Sequence, residues 1–254
     1  MIESLPIILN PASGPDRPVL HALNRGFGQE LDWQIYLTRK AGDGLRHAQE
    51  LVAAGARRIA VCGGDGSVKE LAIALAGTDV ELAILPGGTG NALATELGIP
   101  LDLTQAAQLA ASSTARVRKI DLGKVGDDVF VLRASLGLET LVVTNTPRNL
   151  KNELGQLAYP LTALNQLSQI PLTRYTLDID GVQIETSGVQ CTIANSAQMG
   201  VTGLNLAQGV SVDDGLLDVI VVTTADFAAL ANIAASNFLG QDLGSDILHW
   251  QGRV

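Results

Sequence analysis

The stretch Val61-Cys62-Gly63-Gly64-Asp65-Gly66-Ser67-Val68-Lys69-Glu70 runs from an apolar strand into three glycines set around one acid. Glycine in such a turn admits positive φ and lets the main chain come close to a bulky group. The acid either caps the following helix or meets a ligand or metal. Outward from this turn the chain alternates short apolar runs with helical stretches. LPIILN (5–10) reads as a strand, PVLHALNRGFGQEL (18–31) as a helix and DWQIYLT (32–38) as a second strand. GDGLRHAQELVAAG (42–55) is a helix closing on Gly55, the residue type expected just past a helix end. RRIAVCGG, SVKELAIALAG, VELAILPGG and NALATELGIP continue the alternation to Pro100. Strand and helix in that order predict a Rossmann-like parallel sheet covered by helices.

From about residue 121 the period changes. YTLDIDGVQIET (175–186) alternates on both sides of Asp180-Gly181, the signal of a tight hairpin. VFVLRASLGL (129–138), GVQCTIANS (188–196) and GLLDVIVVTT (215–224) are further strand candidates. One helix is expected among them, with Leu154, Leu157, Leu161, Leu164 and Leu167 on one face and a kink or restart at Pro160. The expected fold class is α/β: a parallel-sheet domain over 1–122, and a mostly β, sandwich-like domain over 123–254.

Bulk composition narrows the function. The chain of 254 residues is 46% hydrophobic, 17% charged and only 4% aromatic, which describes an aliphatic-cored globular protein. A net charge of −9 argues against nucleic acid as a partner. It also argues against broad adhesion to anionic lipid, while leaving room for a local basic patch. Cys62 and Cys191 sit in apolar runs and read as reduced, buried thiols. No run reaches the roughly 18 apolar residues of a membrane span. The opening MIESLPIILN reads as a first strand and not as a secretory signal. The expected location is cytoplasmic, with peripheral contact at the inner membrane face left open.

Ligands of an open parallel sheet bind beyond the carboxyl ends of its strands. Three such ends carry glycine-rich or polar loops: Asn10 to Gly14, Gly63 to Ser67 and Pro86 to Asn91. The second and third lead into helices, whose free N–H groups and dipole favour an anion. Each loop alone has a ligand-free account: Ser67 and Glu70 fit a capping box, and Thr89 or Asn91 could cap the next helix. Three loops at one edge favour a phosphate cradle. The P-loop pattern is absent, neither glycine loop fits G-x-G-x-x-G, and His21, His47 and His249 lack metal-ligand spacing.

NPASG, GGDGS with Glu70 and LPGGTGNALATELGIP, taken in order, resemble the nucleotide-loop motifs of the diacylglycerol kinase catalytic-domain family, which includes bacterial lipid kinases and sphingosine kinases. LGQLAYPLTAL (154–164) and DDGLLDVIVV (213–222) are similar to its second-domain signatures. GGDG alone is shared with NAD kinases. The resemblance implies an ATP-dependent lipid kinase with its nucleotide cleft between the two domains. It implies Mg²⁺ and a lipid substrate such as diacylglycerol, and it leaves a homodimer open. By motif, Asn10, Ser13, Gly14 and Thr38 would line the nucleotide site. Gly63, Gly64, Asp65, Gly66 and Ser67 would hold the phosphates together with Thr89 and Asn91. Asp214, with main-chain oxygens of Ser211 and Leu216, would hold a structural Mg²⁺, an acidic turn entering a strand being the equally good ligand-free account.

The sequence departs from the family pattern at three places. Ser67 stands where many relatives carry Thr, Lys69 where a small polar residue is common, and Ala92 where the pattern GTxND has its acid. The family's Asp-Gly-Glu motif, whose acid is a proposed general base, does not occur before Val254. Either the chain continues or this member works differently; in some relatives the acid of GGDG is given the base role, which by resemblance would fall on Asp65. The readings that remain are a lipid kinase, a NAD kinase-like enzyme, and a nucleotide-binding protein without catalysis. Arg148 and Lys151 would be the cations nearest a head group, the solvated start of a helix being the plainer account.

Overall fold

A computed structural model describes residues 4–28, 31–137, 171–196, 209–224 and 246–253. The chain divides into two compact units, Met1–Arg118 and Lys119–Val254. The leucine-striped segment 154–167, Arg148 and Lys151 lie outside the described residues.

In the first unit, strands β1 (Ser4–Leu9), β2 (Asp32–Leu37), β3 (Arg58–Gly63) and β4 (Glu81–Pro86) form one parallel sheet in the order β2-β1-β3-β4. The register sets Ile7 against both Ile35 and Ala60. Successive side chains alternate between faces. On one face Leu5, Ile7, Leu9, Ala60, Cys62 and Leu85 pack with Leu23 and Phe27 of helix α1 (Val19–Phe27). The same core takes in buried residues 103, 106, 107 and 110 of a helix the sequence reading did not pick out. Ile8, Ile59, Val61 and Ile84, buried at the alternate positions, face the other way. There α2 (Asp43–Ala53) and α3 (Asp65–Leu75) lie against the strands. The short α4 (Ala92–Glu96) follows β4, and the missed helix is α5 (Leu103–Ala111). Asp102 caps α5 by accepting the Gln105 N–H at 2.9 Å. Close approach joins α5 to α1, since a Cβ on Gly26 would run into Ala107 and lie 2.7 Å from the Thr104 carbonyl oxygen.

The second unit is all strand among its described residues. A hairpin of β5 (Gly123–Val125) and β6 (Asp128–Phe130) precedes β7 (Arg133–Gly137). Strands β8 (Thr173–Ile179) and β9 (Val182–Gly188) form the expected hairpin, with Asp180 and Gly181 at φ 51° and 86°. Two positive φ values in succession are what a two-residue turn needs to match strand twist. Strands β10 (Gln190–Ala194), β11 (Leu216–Val222) and β12 (Ile247–Arg253) complete an antiparallel sheet in the order β12-β11-β10-β7. Its apolar face, with Cys191, Ile193, Val219, Val221, Leu248 and Trp250, packs on Tyr175, Leu177 and Ile179 of β8.

This two-layer packing agrees with the sandwich-like expectation. One strand expectation needs correction. Residues 129–138, read as a single strand, break after Phe130. The Val131 carbonyl accepts the Asn195 side-chain amide at 2.8 Å, and the Leu132 carbonyl accepts the N–H groups of Asn195 and Ser196. Those bonds turn the chain out of the ladder.

Candidate nucleotide-binding site

Because the four strands of the first unit are parallel, their carboxyl ends share one edge, and Asn10, Thr38, Gly64 and Gly87 all follow there. The loops are tied to one another and not merely near. Asn10 donates from its side-chain amide to Ser67 Oγ at 3.1 Å, while its Oδ1 accepts the Ala12 N–H at 3.0 Å. Ser13 Oγ accepts the Gly64 N–H at 3.3 Å. The Gly87 N–H donates to the Gly63 carbonyl at 2.8 Å. Thr38 is held to the same edge by its N–H on the Leu9 carbonyl at 3.0 Å.

Close main-chain approach explains Gly14, Gly64, Gly87 and Gly88, whereas a side chain on Gly63 would meet Ser67 and Gly66 has open space around it. A Cβ on Gly88 would lie 2.5 Å from Gly64 Cα, and one on Gly87 would lie 2.9 Å from the Gly63 nitrogen. Gly14, at φ 67°, sits against the Gly87 carbonyl with no room for a side chain. Loops one, two and three therefore meet at a shared seam.

Neither capping account drawn from the sequence holds. α3 starts at Asp65, two residues earlier than expected, with Gly64 as its N-cap and no side-chain cap. Ser67 Oγ is engaged by Asn10, and Glu70 does not turn back to it. Glu70 instead accepts the N–H groups of Gly42 at 3.0 Å and Leu45 at 3.3 Å, capping α2. Asn91 does occupy the N-cap of α4, at φ 54°, yet its side chain bonds backward to the N–H and carbonyl of Gly88 at 2.9 and 2.8 Å. It braces the third loop. Thr89 is exposed on that loop. The Ser67 and Val68 amides go to the Gly64 carbonyl, whereas those of Asp65 and Gly66 take no acceptor among the described residues. A helix start with open amides beside three glycine loops suits an anion.

Asp65 is the acid of the seam. Its Oδ1 is shielded from solvent without a hydrogen-bond partner among the described residues, and a Cβ on Gly90 would lie 2.9 Å from its Oδ2. A buried carboxylate oxygen left unpaired is costly unless a cation or a proton donor arrives. Arg17, which no motif signalled, donates to the Pro86 carbonyl at 3.4 Å and brings a positive charge to the start of the third loop. Beneath the loops, burial pushes the Cys62 thiol up to about 11, with Arg17 pulling the other way.

The residues implied for Mg²⁺ lie in the second unit, on the turn before β11. Asp214 Oδ1 accepts the Leu216 N–H at 3.0 Å, and Ser211 Oγ donates to Asp213 at 2.7 Å. Asp121, also unmarked by any motif, accepts the Gly215 N–H at 2.8 Å, and its own N–H donates to the Val212 carbonyl. Among the described residues no three His, Cys, Asp or Glu side chains converge as a metal cage. A cation at this turn would rest on few carboxylates and on main-chain oxygens, a donor set that a hard ion accepts.

Known proteins share this arrangement. Residues 4–125 match the diacylglycerol kinase catalytic domain model, and residues 133–251 match the YegS C-terminal NAD kinase beta sandwich-like domain model. The probable lipid kinase YegS-like of Pseudomonas fluorescens is 38% identical over 88% of this chain and 73% of its own length. That of Pseudomonas syringae pv. tomato is 38% identical over 77% of this chain. The chain spans 63% of the length of this second relative. A crystal structure of a diacylglycerol kinase from Bacillus anthracis superposes with a TM-score of 0.71 at 25% identity, covering 98% of this chain and 84% of its own. The chain belongs to the diacylglycerol kinase catalytic-domain family.

Proposed function

We propose that this chain binds ATP at the seam of the three loops and transfers its γ-phosphoryl group to a hydroxyl of a diacylglycerol-like lipid. The observation that carries the reading is the seam itself: close-packed glycines, an uncapped helix start and a carboxylate oxygen shielded without a hydrogen-bond partner among the described residues, all at one point. The open amides of Asp65 and Gly66 would hold phosphate oxygens, and Asn10, Ser13, Ser67 and Asn91 would keep the loops in place around them. Thr38 would line the nucleoside side. Mg²⁺ would offset the charge that ATP and Asp65 bring together. Asp65 would take the proton from the lipid hydroxyl as its oxygen bonds to the γ-phosphorus and the bond to the departing ADP breaks. Ser211, Asp214 and Leu216 would hold a second, structural Mg²⁺. We place the domain boundary at 122/123, and contact with a membrane surface would be peripheral and transient.

The test offers labelled ATP to mixed micelles containing diacylglycerol, to NAD, and to buffer alone. Label in the lipid supports the reading. Label in NAD overturns it in favour of a NAD kinase-like enzyme. No transfer, with ATP still bound, leaves a nucleotide-binding protein without catalysis.

A further inference from the structure

A second feature at the same sheet edge is independent of the loops. At the carboxyl end of β2 lies a cavity of about 370 Å³ lined by Leu37, Arg39, Lys40, Asp43, Arg46 and His47. Three of the six are permanent cations in a chain whose net charge is −9. The one acid on the wall, Asp43, accepts the N–H groups of Arg39 at 2.9 Å and Lys40 at 3.2 Å through Oδ2 and meets Arg46 at 3.6 Å through Oδ1. Arg46 is steadied by Glu50 at 2.9 Å and reaches His47 Nε2 at 3.1 Å. His47 Nδ1 is shielded from solvent with no hydrogen-bond partner among the described residues, Glu50 Oε2 lying 3.6 Å away. The Arg39 and Lys40 side chains make no hydrogen bond or ion pair among the described residues. Arg39 and Lys40 stand close together without a partner of their own, and a bound anion would relieve the repulsion between them.

We propose that this cavity is an anion site in its own right, taking a phosphate group through Arg39 and Lys40 with Arg46 as a third cation on its wall. The phosphate belongs either to a small soluble ester or to a phospholipid head group. Leu37, 53% exposed on the same wall, gives the second source an apolar neighbour. The site needs no turnover and stands whether or not the kinase reading does.

Titration of the ¹⁵N-labelled whole chain with inorganic phosphate and with glycerol phosphate reads the first source, through the Arg39, Lys40 and His47 resonances. Sedimentation with phosphatidylcholine vesicles, with and without phosphatidylglycerol, reads the second. The expected result is engagement in at least one arm, weakened about tenfold or more in R39Q/K40Q, restored in R39K/K40R, with ATP affinity unchanged in both variants. Failure of the wild-type chain in both arms overturns the proposal. So does wild-type affinity in R39Q/K40Q. Displacement of the bound phosphate by ATP would also overturn it, by making the cavity part of the nucleotide site.

Discussion

Asp65 stands at the first position of α3, where a negative charge meets the positive end of the helix and would be favoured without any ligand. That stabilisation does not require an oxygen buried without a partner, so the orphaned Oδ1 is the part that asks for function. Asp65→Asn keeps shape and removes the charge. In the transfer assay it should lower kcat by about 10²–10⁴-fold, the usual scale for a lost general base, with an unchanged circular dichroism spectrum. Turnover within a few-fold of wild type would remove Asp65 from the chemistry. Two other residues contribute to the pH dependence of stability. The Arg39 N–H is the main influence holding the Asp43 carboxyl below its ordinary value, against its burial. Its contribution is present above about pH 4 and is lost as pH falls through the depressed folded value. The Cys62 thiol, raised by burial to about 11, contributes stability that is complete below its unfolded value near 9 and is lost as pH rises toward 11. Thermal melts across pH should therefore fall off at both ends. Asp43→Asn should flatten the acid limb, and Cys62→Ser the alkaline one.

At the scale of elements, one side chain adds hydrogen bonds to the packing of α2 on α3. Glu70, on α3, satisfies two N–H groups at the start of α2. Glu70→Ala should cost about 1 kcal/mol, the ordinary worth of a cap, read as a lower urea midpoint with an unchanged slope. The sequence supports Ser67 and Glu70 as a local box equally well. Spacing shows that an acid could reach back, while only the packing of two helices shows that it reaches across. The four strands of the first unit, their parallel pairing and the 180–181 hairpin were legible because each rests on local period or turn chemistry. The loops were legible as loops, since glycine clusters after strands signal close approach. Their mutual bonding was not, because Asn10 and Ser67 are 57 residues apart. α5 escaped notice although Asp102 and Gln105 stand at the spacing of a box and Leu103, Ala106, Ala107 and Ala110 recur at helical spacing, because a stripe made mostly of alanine gives little apolar contrast. β12 has half-buried and exposed positions only, so its sequence gave little warning of a strand.

Across the whole molecule the two units carry different parts of the account. The first holds every loop residue assigned to ATP, and the second holds the turn assigned to structural Mg²⁺. If that turn binds the ion in the folded state, millimolar Mg²⁺ should raise the melting temperature of the wild-type chain and EDTA should reverse the gain. Asp214→Ala should show neither effect, and an equal gain in that variant would move the ion elsewhere.

Equilibrium binding of ATP and AMP to the wild-type chain and to Gly88→Val tests the central claim most directly. Gly88 passes close to Gly64, and its hypothetical Cβ also lies 3.1 Å from Asn91 Oδ1, so valine pries the loops apart at their seam. The account predicts that the wild-type chain prefers ATP to AMP at least tenfold and that Gly88→Val, still folded by circular dichroism, loses that preference. Equal affinity of the wild-type chain for ATP and AMP, or an undiminished preference in Gly88→Val, would contradict it.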